Sequence, residues 1–592
     1  MHGAPPTLLL VALALSGAGL LAGPLILSLG RGRATAGAIV EGLALGLVPT
    51  MVLLRLVPHV AESLGALAVA LFAGAFLVLR AFDRAHHRAA AKMGRAFIYS
   101  ALLLHSFTDG VGLAAAIAAG TPGHTAVDVT LTAAFVIHRV PEGLFIATTL
   151  LPSYGWRRTL ERTFGLFAAT VAGGLLGGAL LPLLSERLFD AVVAIGLGAM
   201  LQLVLHSHAE RRTEPSTRAL TSASLLLGVV LALLVPAPDD LLARARAAEL
   251  PLTRSLVPLF LHAAPPLLLA IVLAATLHAL VRMRSPVGGD ARNGLLFALL
   301  APLGPAQTVP AASGLVLHGA SRAAVVAFLL AATALGLDGA FVMLGLVGPT
   351  LTALQLGGAL VLVLLGALST RGEHAPWGVE LHTRDVLRSW ATLALRTVDQ
   401  RGPHLVAGLL VGAGLEAYVD PTWMTRLPAL APLLLLPLLA AWFGATPLFL
   451  APSAAVLLHK GLDAGAVLAM LLAAPIGGGG RRALVKSHRH ALTLGASLVS
   501  AALGWTLASG FAISPPPLHG WSASPPTLVE VVAGLVVGAS LVVSLLRLGP
   551  SLWLGQLAQV PEAEHHHEHA HPGEDPLDAS PPAAATSRDV TT

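Results

Sequence analysis

The chain contains no cysteine. Disulfides and thiolate metal sites are therefore excluded. Charge is also scarce. Only 11% of the residues are Asp, Glu, Lys or Arg, against roughly 25% in an ordinary soluble domain. Lysine is confined to Lys92, Lys460 and Lys486. So strong a bias toward arginine suggests a GC-rich, bacterial genome. No aromatic-basic stripe or nucleic-acid motif accompanies the net charge of +5, so nucleic acid is not expected as a partner. No phosphate-binding glycine loop is found, which leaves no sign of ATP coupling.

Hydrophobic residues make up 55% of the sequence, and the mean hydropathy is +0.78. They come in long runs, for example 164–184, 219–235, 256–281 and 528–546. Runs of about 17–25 apolar residues cross a bilayer as helices. Only helices and closed barrels satisfy their backbone in lipid, and alternating ten-residue strands are absent. A soluble globular protein is thereby excluded. The expected class is an all-α, polytopic membrane protein of about 16–18 transmembrane helices. The expected location is the bacterial inner (plasma) membrane. The first residues resemble a signal peptide in hydrophobicity, but with so many spans following, 8–29 reads as a retained helix.

The first half divides into eight spans: 7–29, 36–57, 64–82, 97–119, 127–150, 163–184, 188–206 and 218–236. Its basic residues fall in alternate loops. They are Arg31 and Arg33; then Arg84, Arg88, Lys92 and Arg95; then Arg157, Arg158 and Arg162; then Arg211, Arg212 and Arg218. The positive-inside rule places those loops in the cytoplasm and both ends of the unit outside. A polar linker, 237–254, contains Asp239, Asp240, Arg244 and Arg246. A second apolar unit covers 255–548, with a polar insert at 370–402.

Within that unit, 305–336 realigns without gaps on 447–478 at an offset of 142. Pro310 falls on Pro452, Gly319 on Gly461, and residues 329–332 on 471–474. The alternative is chance similarity between apolar helices. Such a match predicts a duplicated bundle, with repeats near 304–339 and 446–481, of the kind that places a site near the bilayer midplane. The tail, 549–592, turns polar and is expected to be disordered from about 560 onward.

Two consecutive spans carry similar polar segments. Span four holds His105, Ser106, Asp109 and Gly110, and span five holds His138, Arg139, Pro141, Glu142 and Gly143. In each, a histidine precedes a carboxylate by four residues, which puts both on one helix face. Ionisable groups inside a bilayer are costly and call for a partner or a function. Two such faces turned together offer up to four N/O ligands, a set suited to Zn²⁺ and also to Mn²⁺ or Fe²⁺. Pro141 removes a backbone donor and frees a carbonyl at that level.

These segments resemble the ZIP (Zrt-, Irt-like) family of divalent metal transporters. That family carries a His-x-x-Pro-Glu-Gly pattern on its fifth helix and a His-Asn-x-x-Asp or His-Asn-x-Pro-Glu-Gly pattern on its fourth. The resemblance covers about residues 1–236 and implies an eight-helix bundle with outward termini. His86 and His87 lie in the third loop, as in the family, and Arg55, Pro58, His59 and Glu62 stand where its second-helix ligands are expected. Implied metal residues are His105, Asp109, His138 and Glu142, with Ser106, His59 and Glu62 as further candidates. Ser106 replaces the usual asparagine, and Arg139 occupies a ligand position. A guanidinium stays protonated and cannot bind metal. It either substitutes for the second cation of a two-metal centre, leaving His105 and Glu142 to one ion and Asp109 to Arg139, or it neutralises Asp109 and Glu142 as a structural ion pair.

The second unit resembles the predicted permeases related to bacterial metal and organoarsenical efflux proteins. Gly304, Pro305, Ala306 and Pro310 stand at that family's Cys-Ser-Cys-Gly-x-x-Pro motif, followed by His318, Gly319, Ser321 and Arg322, and then by Phe328 and Leu329. In the repeat copy the turn is His459, Lys460 and Gly461. Loss of both cysteines argues against soft cargo. Asp338 is the one acidic candidate in its apolar stretch, as a functional group or as a helix-end cap.

The functional expectation is transport of a divalent cation as substrate, Zn²⁺ first, with no prosthetic group and no enzyme activity. The ZIP resemblance implies movement inward, and the permease resemblance implies efflux. The alternative is a non-transporting metal sensor or scaffold with degenerate sites. An intramembrane metalloenzyme needs a His-Glu-x-x-His helix, and the sole literal match, 567–571, lies in the polar tail. Accessory metal ligands are expected at His86, His87, His206 and His208 and in the tail at His565, His566, His567, His569 and His571. Assembly as a homodimer is left open.

Overall fold

The computed structural model describes residues 6–29, 33–86, 90–118, 136, 139–180, 186–209, 216–234, 251–282, 321–369, 386–426, 428, 430–443, 445–475, 489–511 and 525–557. The described elements are helical, and the chain is an all-α, multi-pass membrane protein. Four stretches are individually long and apolar enough to cross a membrane by length and composition: Gly37–Leu54, Ser255–Thr276, Ala323–Leu346 and Leu528–Leu548. Many large apolar side chains face outward, among them Val78, Leu104, Phe164, Leu535 and Leu528. That is costly in water and neutral in lipid, which accounts for the inside-out pattern. An architecture of this kind is consistent with the plasma membrane.

In the first half, α1 (Pro6–Leu29), α2 (Arg33–Met51), α3 (Val57–Leu64), α4 (Ala66–His86), α5 (Ala90–Ala118), α6 (Arg139–Leu180), α7 (Glu186–Ala209) and α8 (Arg218–Leu234) pack side by side. Between α2 and α3 the backbone loosens into a π turn, Val52–Leu56. Pro58 follows directly and has no N–H to give the preceding turn, and Val57 N–H reaches back to Val52 O instead. The expected second span therefore continues past 57, to Leu64, where Gly65 ends the helix at φ 58°. The chain turns within α6 at Gly155, with φ 71°, a conformation open to glycine at little cost. That turn separates the expected fifth and sixth spans, and Arg157 beyond it is solvent-facing and paired with Glu161 at 3.1 Å.

Close approach of α1, α5 and α6 relies on glycine. A Cβ on Gly110 would lie 2.0 Å from Thr170 O, one on Gly173 would lie 2.0 Å from Phe107 O, and one on Gly143 would lie 2.1 Å from Leu20 O. Small residues allow helices to touch backbone to backbone where no hydrophobic effect drives them together.

The second half contains α9 (Pro251–Arg282), α10 (Arg322–Ala334), α11 (Leu337–Leu346), α12 (Pro349–Ser369), α13 (Val386–Tyr418), α14 (Pro421–Arg426), α15 (Leu430–Phe443), α16 (Pro447–His459), α17 (Ala464–Pro475), α18 (Arg489–Gly510), α19 (Leu528–Leu548) and α20 (Pro550–Gly555). Helices α10, α11, α16 and α17 have only 10–13 residues. Each is too short to span alone, α10 and α11 together making the Ala323–Leu346 stretch, and all are hydrophobic all round, so they occupy the centre. From Gly465 to Pro475 every residue of α17 is buried.

Part of the polar insert at 370–402 is helical. From Val386 onward it is the first half of α13. Asp399 and Arg401 are buried there, and distant helices neutralise them, while Arg396 is exposed. Arg401 Nε lies 3.1 Å from Asp338 Oδ2 at the start of α11. Asp399 pairs with Arg547 and accepts a hydrogen bond from Ser544 Oγ at 2.7 Å, both on α19. Helix α19 also joins the halves, since Ser222 Oγ of α8 donates to Leu545 O at 2.7 Å.

Candidate metal centre

Helix α5 runs through span four with His105 and Asp109 one turn apart, and their side chains meet, with Nε2 to Oδ2 at 3.3 Å. The i, i+4 reading of that face holds. Helix α6 supplies Arg139 and Glu142, one turn apart. His105, Asp109 and Glu142 are all buried, and each offers a ligand atom within 4.8 Å of the other two. Among the described residues this is the one group of three or more His, Cys, Asp or Glu with metal-binding spacing. Glycine is what permits it. Gly110 and Gly173 bring α5 against the distal half of α6, and Gly143 presses the first turn of α6 onto α1.

Arg139 has no exposed surface. Its NH2 lies 3.1 Å from Asp109 Oδ2, and its NH1 lies 2.6 Å from Glu142 Oε2. NH1 also donates to Ser106 Oγ at 3.2 Å, and NH2 to Thr170 Oγ1 at 2.9 Å and to Ser106 O at 3.4 Å. Ser106 Oγ in turn reaches Glu142 Oε1 at 3.5 Å. The guanidinium thus touches both carboxylates, whereas one of the two sequence expectations left Glu142 wholly to a metal. Two carboxylates and one guanidinium sum to one negative charge when His105 is neutral. That charge and the buried His105, Asp109 and Glu142 are consistent with a site able to hold a divalent cation. A tetrahedral Zn²⁺ holds its N/O ligands at about 2.0–2.2 Å, so the ligand atoms stand roughly 3.3–3.6 Å apart. His105 and Asp109 already have that separation.

Thr170 was not singled out from the sequence. It is the sole side chain with a polar group between 164 and 180, and that isolation was the available signal. Its Oγ1 donates to Leu166 O at 3.1 Å and accepts from Arg139.

Other expected residues are not brought to the centre by what is described. His138 lies outside the described residues. His59 and Glu62 are on α3, His86 ends α4, and His206 and His208 are on α7, but their side chains lie outside the described set. His87 and the tail histidines, His565, His566, His567, His569 and His571, are also outside it, as are Gly304 through His318. Comparison with family models, with curated proteins and with solved structures gives no match.

Proposed function

We propose that the protein carries a divalent metal cation, Zn²⁺ foremost and Mn²⁺ or Fe²⁺ as alternatives, across the membrane through the site between α5 and α6. The single observation behind this reading is the buried, net-negative group His105, Asp109 and Glu142, with ligand atoms within 4.8 Å of one another in lipid-embedded helices. Imidazole and carboxylate ligands suit these ions. Arg139 takes the place of a second cation. It holds the carboxylates apart from each other and lowers the charge of the pair, so that a metal binds without being trapped. His138, next to Arg139 in sequence, is carried forward as a fourth ligand. The N-terminal eight helices, on this reading, are a ZIP-like unit, and 255–548 a permease-like unit with a duplicated core.

A second reading is favoured by the same guanidinium. Arg139 already contacts both carboxylates, which fits a structural ion pair in a non-transporting sensor or scaffold. Radioactive zinc flux into proteoliposomes separates the two. Transport predicts saturable uptake that the double variant His105→Ala, Glu142→Gln abolishes. Absence of uptake for Zn²⁺, Mn²⁺ and Fe²⁺ in the unaltered protein would leave the sensor or scaffold reading.

A further inference from the structure

In the second half, helices α9, α13 and α19 pack against one another and enclose a cavity of about 140 Å³. Its walls are mostly apolar. They include Leu267 and Ile271 of α9, Ala394 and Val398 of α13, and Val537 and Leu541 of α19. Val272 and Leu395 also line it and are exposed on the outside of the bundle. The cavity therefore opens where these helices meet lipid. Val537 and Leu541 lie in the middle turns of α19, Leu528–Leu548. That places the mouth at the level of the acyl chains, so a ligand enters from the hydrocarbon.

One lining residue, Arg401, is charged. It is 6% exposed, and its Nε lies 3.1 Å from Asp338 Oδ2 on α11. Among the described residues that pairing is its one polar contact. A guanidinium carries five N–H donors, so most of its donors have no acceptor there. Leaving buried donors unpaired is unfavourable. The lining residue Ser540 does not relieve this, because its hydroxyl is already engaged, donating to Val536 O at 2.7 Å.

Three properties of the cavity define what fits it. Its size is that of one small ring, since an apolar cavity of about 150 Å³ takes up benzene. Its charge is already balanced, because Arg401 and Asp338 sum to zero. An ion would bring an uncompensated charge to the middle of the bilayer, which is costly, so the ligand is uncharged. Its walls favour an apolar body, while the unpaired N–H groups favour a single accepting oxygen. A phospholipid head group is too large and is charged. A plain hydrocarbon leaves the guanidinium donors unpaired. We infer that the cavity binds a small, uncharged, lipid-soluble carbonyl compound, its body among the apolar side chains and its oxygen accepting a hydrogen bond from Arg401. The site uses none of the residues of the His105 centre and does not depend on metal binding there.

The test uses 4,4-difluorocyclohexanone, followed by ¹⁹F NMR with the full-length protein in nanodiscs. Protein-free nanodiscs measure plain partitioning into lipid. The control is 1,1-difluoro-4-methylcyclohexane, a similar ring without the oxygen. The ketone should bind saturably, and the hydrocarbon about tenfold or more weakly, because a hydrogen bond to a charged donor is missing. Ala394→Phe fills the cavity from α13 and should abolish ketone binding. The double variant Arg401→Met, Asp338→Asn removes both charges together, which avoids leaving one of them buried alone. Its affinity for the ketone should fall about tenfold, to that of the hydrocarbon. Gel filtration and helical circular dichroism identify the variants that fold. The comparison of ketone with hydrocarbon needs no substitution and decides the matter even if neither variant folds. Ketone binding that does not saturate overturns the site, as does equal binding of the two rings by the unaltered protein. Ketone binding unchanged in a folded Ala394→Phe protein, or in the folded double variant, overturns it too.

Discussion

Replacing Arg139 by glutamine separates a working metal site from a structural ion pair. The side chain is fully buried and touches Asp109 at 3.1 Å and Glu142 at 2.6 Å. Removing one partner of a buried pair typically costs about 3–5 kcal/mol, because the remaining charge is left uncompensated. Arg139→Gln leaves two carboxylates facing each other, so a loss at the upper end of that range is expected without metal. The same change removes a positive charge from beside the metal position. At about 4 Å and an effective dielectric near 20, that repulsion between a unit charge and a divalent ion is worth roughly 8 kcal/mol, a ceiling of about a millionfold in affinity. Relaxation and water entry lower it, and a gain of about tenfold or more is expected.

The two effects have opposite signs, and that makes the experiment decisive. The assay is thermal unfolding followed by tryptophan fluorescence, since the absence of cysteine rules out thiol-reactive dyes. In Arg139→Gln the unfolding temperature should fall in chelator and recover on adding ZnCl₂. The recovery follows mass action and grows with the ratio of free metal to Kd. In the unaltered protein the ZnCl₂ shift should be smaller at equal metal. A folded Arg139→Gln protein that ZnCl₂ does not stabilise would refute the ligand set His105, Asp109 and Glu142.

Gly143→Ala should lower stability by about 1–3 kcal/mol, since the new methyl meets Leu20 O at 2.1 Å and backbone must move. Gly196→Ala, whose methyl would meet only His105 Nδ1, at 4.0 Å, among the described residues, should be within about 0.5 kcal/mol of the unaltered protein in the same melt. A double-mutant cycle of Asp399→Asn with Arg547→Met should give a coupling of about 0.5–3 kcal/mol, toward the lower end because Arg547 is 45% exposed. Zero coupling would mean that Asp399 is held by Ser544 alone. Thr527→Ala removes the capping box at α19, where Thr527 Oγ1 accepts from Glu530 N and Glu530 Oε2 accepts from Thr527 N. About 1 kcal/mol of stability should be lost in denaturant unfolding.

Much was legible along the chain because its signals are local. Apolar runs are long enough to span, and the helices appear where those runs lie. The four-residue spacing of His105 and Asp109 defines a shared face through helix periodicity alone, and their side chains do meet. Proline at 58 and glycine at 65 and 155 mark the breaks that the backbone makes there. An offset of 142 between apolar segments was visible as repeated proline and glycine.

What the tertiary structure decided was which distant groups share a point. That Glu142 comes within 4.8 Å of both His105 and Asp109 depends on how α5 and α6 are packed, and glycines at 110, 143 and 173 set that packing. Arg139 could have satisfied one carboxylate; it contacts both, and Thr170, 31 positions away in sequence and outside every motif, accepts a further hydrogen bond from it. In the polar run from 386 to 402 charges are expensive in lipid, and Asp338 and Arg547 on other helices neutralise the buried Arg401 and Asp399. Helix periodicity is a property of neighbours in sequence. Ion pairs join residues as much as 148 positions apart, and only the packed bundle determines which of them meet.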